Sequence, residues 1–475
     1  MTTTASSLSL RQQTQARTAS PWATLAVLMA GTFMIVLDFF IVNVALPSMQ
    51  ADLSASTSAI EWVVAGYGLT FATCLITAGR LGDLIGRRKA FSIGLGLFTL
   101  TSLACGAAPD PSILIAARLV QGLAAALISP NVLAIIGVAY QGPERVRALT
   151  VYGMVMGFAA AGAQLIGGAL VQADLAGMGW RSVFLINLPV GLAGILLAPM
   201  CLPESRAPST RIDLLGTVLV TLGLSAILLP LVEGPKHAFP LWTWLSLAAA
   251  PLLVGAFVAH QRRLSRTGGA PLLELQLFRE RSFSAGLITQ LAFWSGMASF
   301  FVVLALYLQQ GRGLNALQAG LVFTILAGAY LVTSLRAPKL TLRYGRRLIL
   351  VGALTQAAGY ALMLVGVASS GSETWVFELA PGLAMAGAGM GLCITPLVAT
   401  VLANVPAQFA GAASGTLSTV QQLGNALGVA ITGVLFFGNL SNGFSSAFEI
   451  TLAEFAILLV LVAGLTRLLP KGSQA

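Results

Sequence analysis

The stretch "MIVLDFFIVNVALP", residues 34–47, decides the class of fold. It belongs to an apolar run over residues 22–46, and about 18 or more apolar residues with few charges typify a membrane-spanning helix. Asp38 is the one charged side chain in that run. A carboxylate within such a helix costs roughly 2.5–3.5 kcal/mol on insertion scales, which makes Asp38 a candidate functional residue.

The composition of the chain extends this interpretation to its whole length. Its 475 residues are 57% hydrophobic and 9% charged, whereas soluble proteins carry about 25% charged residues. Similar apolar runs recur along the chain, separated by short polar breaks. The predicted spans are 22–46, 60–78, 90–108, 112–139, 149–171, 182–202, 211–232, 243–261, 282–308, 316–335, 347–368, 377–402, 409–436 and 447–467. The sequence therefore predicts an all-α polytopic membrane protein with fourteen spans.

The basic residues predict the orientation of these spans, because they favour the cytoplasmic side. With the N-terminus inside, 22 of the 26 Lys and Arg residues fall on inner segments. Arg181, Lys236 and Arg312 fall outside, and Arg118 falls within a span. We expect both termini to be cytoplasmic in a multi-pass plasma (inner) membrane protein. The net charge of +10 is then a topology signal and an attraction to anionic lipids, and no nucleic-acid partner is expected.

An internal repeat indicates two related halves. "GRLGDLIGRRK" (79–89) follows the second span, and "PKLTLRYGRRL" (338–348) follows the tenth, with Leu342 in place of Asp83. Duplicated halves are common among transporters, which bind substrate between them near the bilayer midplane. The predicted segments are a disordered cytoplasmic N-terminus 1–21, an N-terminal six-helix bundle 22–202, two inserted helices 203–262, a cytoplasmic amphipathic linker 263–281, a C-terminal six-helix bundle 282–468 and a cytoplasmic tail 469–475.

Several motifs resemble those of the major facilitator superfamily, and within it the fourteen-helix drug:proton antiporters. They are "LDFFIVNVALPSM" (37–49), "GRLGDLIGRRK" (79–89), "RLVQG" (118–122), "WRSVFLINLPVG" (180–191) and "PLLELQLFRERSF" (271–283). The resemblance implies the major facilitator fold, two six-helix bundles plus two inserted helices. One departure concerns helix five, where that family usually has Gly-Pro ahead of Gly-Gly. This chain has Ala163-Gln164 ahead of Gly167-Gly168, which weakens the case for strict antiport.

Asp38 and Arg118 are predicted to lie at the same depth. Asp38 is about 16 residues, or about 24 Å, along a first helix that enters from the cytoplasm. Arg118 is about six residues, or about 9 Å, into a fourth helix that enters from outside. In a hydrocarbon core about 30 Å thick, both fall in the outer half. The resemblance places these two helices side by side.

We expect Asp38 and Arg118 to form a buried, water-accessible pair that couples proton flow to export. Burial and a neighbouring guanidinium act in opposite directions on the proton affinity of a carboxylate, so a changed contact changes that affinity. Arg118 stays protonated and can tune a proton carrier without being one. The alternative is a static ion pair that pins helices one and four together.

Five residues of the 79–89 motif are predicted to form a gating latch: Gly79, Asp83, Gly86, Arg87 and Arg88. The resemblance implies a cytoplasmic latch that holds the outward-facing state. Asp83 would face the N-terminus of a helix from the opposite half, where the helix dipole favours an anion. The alternative is a plain turn whose basic residues obey the positive-inside rule.

Polar and aromatic side chains within the spans are candidates for the cavity and the substrate site, with helix packing as the alternative for each. They are Asn43, Tyr67, Gln121, Gln164, Trp294, Gln421, Gln422 and Asn425. Glu454, on the last span, is a secondary acid candidate.

The sequence favours a transporter over an enzyme. The spans contain no set of His, Cys or paired acids for catalysis, and no GxxxxGK[ST] loop for ATP. The four Cys and two His residues have no metal-site spacing, so we expect no catalytic residue, metal or cofactor. We predict a monomer that exports drugs, antibiotics or amphiphilic metabolites by proton-coupled alternating access, with protons and membrane lipids as partners. The alternatives are a proton-independent or symport carrier of a small metabolite, and a membrane receptor or scaffold.

Overall fold

The computed structural model describes residues 20–206, 213–234, 239–267, 269, 271–273, 275–370, 376–402, 405–406 and 409–469. The predicted disordered N-terminus 1–21 lies almost entirely outside these residues, and so does the predicted tail 469–475.

Fourteen helices within the described residues are long and apolar enough to cross a membrane. Their bounds are α1 Pro21–Asp52, α2 Thr57–Ile85, α3 Arg87–Gly106, α4 Pro111–Ala139, α5 Gly142–Ala173, α6 Asn187–Cys201, α7 Leu214–Glu233, α8 Leu241–Arg266, α9 Arg281–Leu306, α10 Ala316–Tyr344, α11 Arg346–Ser370, α12 Ala380–Leu402, α13 Ala410–Asn439 and α14 Phe444–Leu465. Each overlaps one predicted span, so the predicted polytopic all-α fold is confirmed. Two short helical turns, Gly179–Arg181 and Ser182–Leu185, lead into α6 and complete the sixth crossing.

The helices form two bundles of six. In the first, α1 packs against α5 and α6, while α4 packs against α2 and α3. In the second, α9 packs against α13 and α14, while α11 packs against α12 and α14. The bundles meet where α5 contacts α10 and α12, and where α13 contacts α2 and α4.

Small residues on α5 allow the bundles to approach closely. A Cβ on Gly157 would lie 2.0 Å from the ring of Tyr330 on α10, and one on Gly153 would lie 1.9 Å from Thr395 Oγ1 on α12. The Tyr330 hydroxyl donates a hydrogen bond to the Gly153 carbonyl. Small residues at a membrane helix interface permit such contact. The side chain of Tyr330, from the second bundle, therefore packs directly against the backbone of α5 in the first bundle.

The inserted pair lies against the line where the bundles meet. α7 packs against α2 and α13, and α8 packs against α7. α8 continues to Arg266, so the first four residues of the predicted linker 263–281 belong to a helix.

Three leucines in the rest of that linker lie inside the protein. Leu272, Leu273 and Leu277 are all buried within the protein. Leu272 and Leu273 join a cluster with Ile76 of α2 and residues of α7 and α8. These apolar side chains pack against three helices of the same chain, which removes them from lipid as well as from water.

Candidate functional site

Asp38 of α1 and Arg118 of α4 form a direct ion pair. Arg118 Nη1 lies 2.5 Å from Asp38 Oδ2, and both side chains are fully buried. Arg118 Nε also donates to the backbone carbonyl of Val63 on α2, at 2.8 Å. The structure thus brings together the two charges that were predicted to lie at one depth, and it ties three helices to the pair.

Neutral donors complete the surroundings of the carboxylate. Asn187 Nδ2, on the first turn of α6, donates to Asp38 Oδ1 at 2.8 Å, and Gln121 Nε2 donates to the same oxygen at 3.2 Å. Gln121 also accepts from Arg118 Nη1 at 2.8 Å. Both amides donate to Ser102 Oγ of α3, at 3.2 Å from Asn187 and 2.9 Å from Gln121. The Asp38 carboxylate therefore has hydrogen-bond partners on α4 and α6, and Ser102 of α3 accepts from both amides.

Aromatic rings cover the guanidinium. Arg118 Cζ lies 4.2 Å from the ring centroid of Tyr67 and 5.7 Å from that of Phe184. A cation over a ring face is attracted by the ring quadrupole, and more strongly where water is excluded. The pair is thus shielded on the α2 side and on the α6 side.

The close approach of α2 and α4 fixes this geometry. A Cβ on Gly122 would lie 2.3 Å from the backbone oxygen of Tyr67, and one on Gly66 would lie 3.3 Å from Leu119 Cδ2. Thr70 Oγ1 donates across the same contact to the Leu119 carbonyl, at 2.8 Å. The glycine of the RLVQG motif is therefore required by the packing of α2 beside Arg118.

The expected access of water to the pair is not present in this conformation. Asp38 and Arg118 are both fully buried, and neither lines the central cavity. In this conformation the surrounding helices separate the pair from solvent. Exchange of a proton with solvent therefore requires the helices around Asp38 to move.

A cavity lies between the bundles beside this site. Residues from α1, α2, α4, α5, α9, α12 and α13 line it, and four of the predicted cavity residues are among them: Trp294, Gln421, Gln422 and Asn425. Its volume is about 70 Å³, against roughly 300–1,000 Å³ for pockets that hold drug-sized ligands. The cavity is therefore contracted, and it has to widen before it can take such a molecule.

The bundles touch at both ends of this cavity. At one end Arg145 Nη2 donates to the Leu402 carbonyl at 3.2 Å, and Ser414 Oγ donates to the Pro130 carbonyl at 2.9 Å. At the other end, the ring centroids of Phe40 on α1 and Phe301 on α9 lie 5.1 Å apart. The two bundles are thus in direct contact near Leu402 and again near Phe40.

The other predicted cavity residues do not line the cavity. Gln121 belongs to the hydrogen-bond network of Asp38, and Tyr67 packs on Arg118. Gln164 donates across to the Phe40 carbonyl of α1 at 3.4 Å. Asn43 is half-buried on α1. For these residues, depth in the membrane was predictable but the direction of the side chain was not.

The charged residues of the predicted latch form ion pairs with one another and with the segment that follows α6. Arg87 donates to Asp83 Oδ1 from Nε at 2.9 Å and from Nη2 at 2.7 Å, and both side chains are buried. Arg88 Nε lies 3.5 Å from Glu204 Oε2 in the segment after α6. Gly86 joins α2 to α3 with φ of 108°. A Cβ there would lie 2.5 Å from Glu204 Oε1.

The predicted contact of Asp83 with a helix of the opposite half is not among these interactions. Its second oxygen, Oδ2, is buried and has no hydrogen-bond partner within the described residues. Gly79, one turn earlier, is buried on α2. The gating role of the motif stays a prediction.

Glu454 lies outside the central cavity. Its Oε1 accepts a hydrogen bond of 3.1 Å from Thr432 Oγ1, between α14 and α13. Its Oε2 is buried without a partner within the described residues. Because one oxygen of its carboxyl group is buried without a partner, Glu454 stays a candidate acid at a place separate from Asp38.

Asn187 and Ser102 were not predicted as site residues, because a neutral polar residue in an apolar span has no charge whose depth could be matched to that of another. The pairing of His260 was not predicted either. Asp213 caps α7 by accepting from the Gly216 backbone at 2.8 Å, and it accepts from Gln261 at 2.6 Å. The same carboxylate lies 2.8 Å from His260 Nε2. Burial opposes ionisation of Asp213, but the bonds from Gly216, His260 and Gln261 outweigh it and hold the pKa of Asp213 below its ordinary value.

Comparison with known proteins agrees with this architecture. The chain is 42% identical over 428 residues, 89% of this chain and 73% of the other, to the probable actinorhodin transporter of Streptomyces coelicolor. It is 34% identical over 477 residues, 94% of this chain and 93% of the other, to the cephamycin export protein CmcT of Amycolatopsis lactamdurans.

Among solved structures, the fold is similar to that of the proton:xylose symporter XylE, bound to 6-bromo-6-deoxy-D-glucose. The TM-score is 0.65 at 16% identity, over 93% of this chain and 94% of the other. The family model of the Major Facilitator Superfamily matches residues 28–429. The chain therefore belongs to the Major Facilitator Superfamily, as its motifs predicted, and is a multi-pass membrane transporter of small molecules rather than an enzyme.

Proposed function

We propose that the protein exports drugs, antibiotics or other amphiphilic metabolites in exchange for protons, by alternating access. One observation carries the proposal. Asp38, buried against Arg118 at 2.5 Å, is followed on α1 by Phe39 and Phe40, which line the cavity between the bundles. The acid and the cavity wall thus share one helix, so a movement of α1 acts on both.

The proton step rests on making and breaking the ion pair. In the closed conformation the guanidinium of Arg118 and the amides of Asn187 and Gln121 stabilise the Asp38 carboxylate. When the bundles rock and α1 moves relative to α4, a solvent path opens to Asp38 after it has lost these contacts while it is still largely buried. Burial without the counter-charge favours the protonated form, so Asp38 takes up a proton. As the helices return, the contacts re-form and the proton leaves before the pair is again shut off from solvent.

The cavity favours uncharged or weakly charged substrates with aromatic or amphiphilic character. No residue that lines it within the described chain carries a formal charge. Aromatic walls come from Phe39, Phe71 and Trp294, while amides come from Gln421 and Asn425. Rings can stack on such walls, and amides orient polar substituents. The names of two similar proteins, a probable actinorhodin transporter and a cephamycin export protein, support an antibiotic as the substrate.

The proposed orientation has both termini in the cytoplasm and the protein in the plasma (inner) membrane, since 22 basic residues then lie inside and three outside. The division into bundles 22–202 and 282–468, with an inserted pair over 203–262, belongs to the proposal. So does a latch at 79–89 on the cytoplasmic face. Its buried Asp83–Arg87 pair is suited to change partners when the bundles move.

Transport into proteoliposomes tests the proposal. Purified protein is reconstituted, and a pH gradient is imposed with the lumen more acidic than the outside. Accumulation of actinorhodin and of a cephamycin is then measured with and without nigericin, which collapses the gradient. We expect accumulation that depends on the gradient. Equal uptake with and without the gradient would instead favour the proton-independent carrier.

A further inference from the structure

Tyr67 occupies a position between the ion pair and the cavity. It is fully buried on α2 and is not one of the residues that line the cavity. One side of its ring faces the guanidinium of Arg118, with Arg118 Cζ 4.2 Å from the ring centroid. Any displacement of the ring therefore changes the surroundings of Arg118.

The other neighbours of the ring form the cavity wall. The Tyr67 centroid lies 6.0 Å from that of Phe39 and 5.8 Å from that of Phe71, and both phenylalanines line the cavity. Aromatic rings at these separations are in contact and prefer tilted arrangements. A molecule that enters the contracted cavity has to displace such walls, and Tyr67 lies directly behind them.

The backbone of Tyr67 is held while its ring is not hydrogen-bonded. The glycine contacts that bring α2 and α4 together fix the main chain, since a Cβ on Gly122 would lie 2.3 Å from Tyr67 O. The Tyr67 hydroxyl is buried and has no hydrogen-bond partner within the described residues. The contacts of this residue are therefore those of its ring.

We propose that the ring of Tyr67 is the positioning element that couples occupancy of the cavity to the Asp38–Arg118 pair. The inference rests on the proposed proton coupling and names the residue that transmits it. Substrate displaces Phe39 or Phe71, the Tyr67 ring follows, and the guanidinium changes its hold on Asp38. Because coupling between two sites is reciprocal, the protonation state of Asp38 alters the cavity wall by the same route.

Apart from α1 itself, which carries both Asp38 and the cavity-lining Phe39, few side chains near Asp38 offer another route for the coupling. Within the described residues, the charged and titratable side chains that interact with Asp38 are Arg118 of α4, Cys105 of α3 and Tyr67 itself. Cys105 contacts the network through Gln121, at 3.6 Å from Sγ to Oε1, and does not line the cavity.

The test is a double-mutant cycle read by infrared spectroscopy. The carbonyl band of a protonated carboxyl is followed against pH in the purified full-length protein, and Asp38→Asn identifies the part of the band that belongs to Asp38. Phe71→Leu changes the cavity wall without touching either member of the pair. We expect it to move the pH midpoint of the Asp38 band by about half a pH unit, the size of a modest cation–π effect. When Tyr67 is already replaced by Leu, adding Phe71→Leu should leave the pH midpoint of the Asp38 band unchanged.

Two further variants separate the ring from the hydroxyl and from general packing. Tyr67→Phe keeps the ring and is expected to preserve the response to Phe71→Leu. Phe158→Leu alters an exposed ring on α5 that stacks on Phe33, and it should leave the midpoint unchanged. If Tyr67→Leu does not fold, the comparison of Phe71→Leu with Phe158→Leu still decides, because equal midpoints would overturn the inference.

The outcomes distinguish the inference from the function on which it rests. A wild-type protein in which no Asp38-dependent band titrates would refute the proposed proton coupling. A titrating band whose response to Phe71→Leu is the same with and without the Tyr67 ring would leave proton coupling intact and overturn the role of Tyr67.

Discussion

Replacing one member of the buried ion pair is expected to destabilise the protein far more than replacing both. The pair has an N–O distance of 2.5 Å and no exposure, so Arg118→Gln leaves a buried carboxylate without its counter-charge. Asp38→Asn likewise leaves a buried guanidinium without its counter-charge. Removing one partner of a buried pair costs about 3–5 kcal/mol, whereas replacing both with neutral groups is often close to neutral. The coupling free energy between the two positions should therefore reach about 3 kcal/mol, the upper end for residues in contact.

A second ion pair in the same chain is a matched control. Arg181 Nη1 lies 2.5 Å from Asp52 Oδ2, the same distance, but the two side chains are 31% and 48% exposed. Exposed pairs contribute about 0–1 kcal/mol because water and salt screen them. The cycle of Asp52→Asn with Arg181→Gln should give a coupling free energy below about 1 kcal/mol.

Unfolding by sodium dodecyl sulfate in mixed micelles measures both cycles, with free energies from the midpoint and slope of each transition. The expected result is a double variant at positions 38 and 118 that is more stable than either single variant. If the double variant is destabilised by the sum of the two single effects, the charges are independent and the reasoning from burial is refuted.

Three further predictions concern packing and capping, each checked by the same unfolding assay. Gly157→Val should cost about 1–3 kcal/mol by overpacking, because a Cβ would lie 2.0 Å from the Tyr330 ring. In a Tyr330→Ala background, where that ring is absent, the same substitution should cost much less. Asp213→Ala should cost about 0.5–2 kcal/mol at neutral pH as a lost helix cap. The pKa of Asp213 lies below its ordinary value. The difference in unfolding free energy between wild type and Asp213→Ala should therefore be largest above about pH 4 and shrink as pH falls through the lowered pKa. Gly86→Ala should cost about 1–3 kcal/mol, because φ there is 108°. Gly96→Ala should instead gain about 0.5–1 kcal/mol, because its added Cβ would meet open space.

The spans and the ion pair were predictable because they depend on quantities that a sequence carries directly. Hydropathy over about 20 residues gives the number of crossings, and the distribution of basic residues gives a predicted direction for each. Asp38 and Arg118 then follow from counting residues along two helices that run in opposite directions. Their contact required two further conditions. The first and fourth helices had to be neighbours, which the resemblance to the major facilitator superfamily implied, and both side chains had to point inward, which the cost of a charge facing lipid favours.

The cavity wall was harder to predict because these helices are apolar on all sides. In a soluble protein, the apolar stripe of a helix shows which face is buried. In α1 or α5, apolar residues face lipid as well as the interior, so the rotation of each helix is not encoded in a periodic pattern. Tyr67 and Gln121 were therefore assigned to the cavity on depth alone, and the structure places them beside Arg118.

Asn187 and the linker leucines could not be placed from the sequence for a different reason: their partners are distant in the chain. An amide has no charge to compare across helices, so its bond to Asp38 becomes visible only when α1 and α6 are placed together. Leucines with amphipathic spacing fit a lipid surface as well as a protein surface. The packing of Leu272 and Leu273 against the inserted helices depends on where that pair lies, which local sequence does not give.

The most direct test of the account compares Asp38→Asn with wild type in two transport modes in the same proteoliposomes. An amide at position 38 keeps the shape of the side chain and removes its ability to bind and release a proton. We predict that the variant still exchanges actinorhodin across the membrane at equal pH on both sides, yet cannot accumulate it against a concentration gradient when a pH gradient is imposed. Accumulation equal to that of wild type would contradict the assignment of Asp38 as the residue that carries the coupled proton.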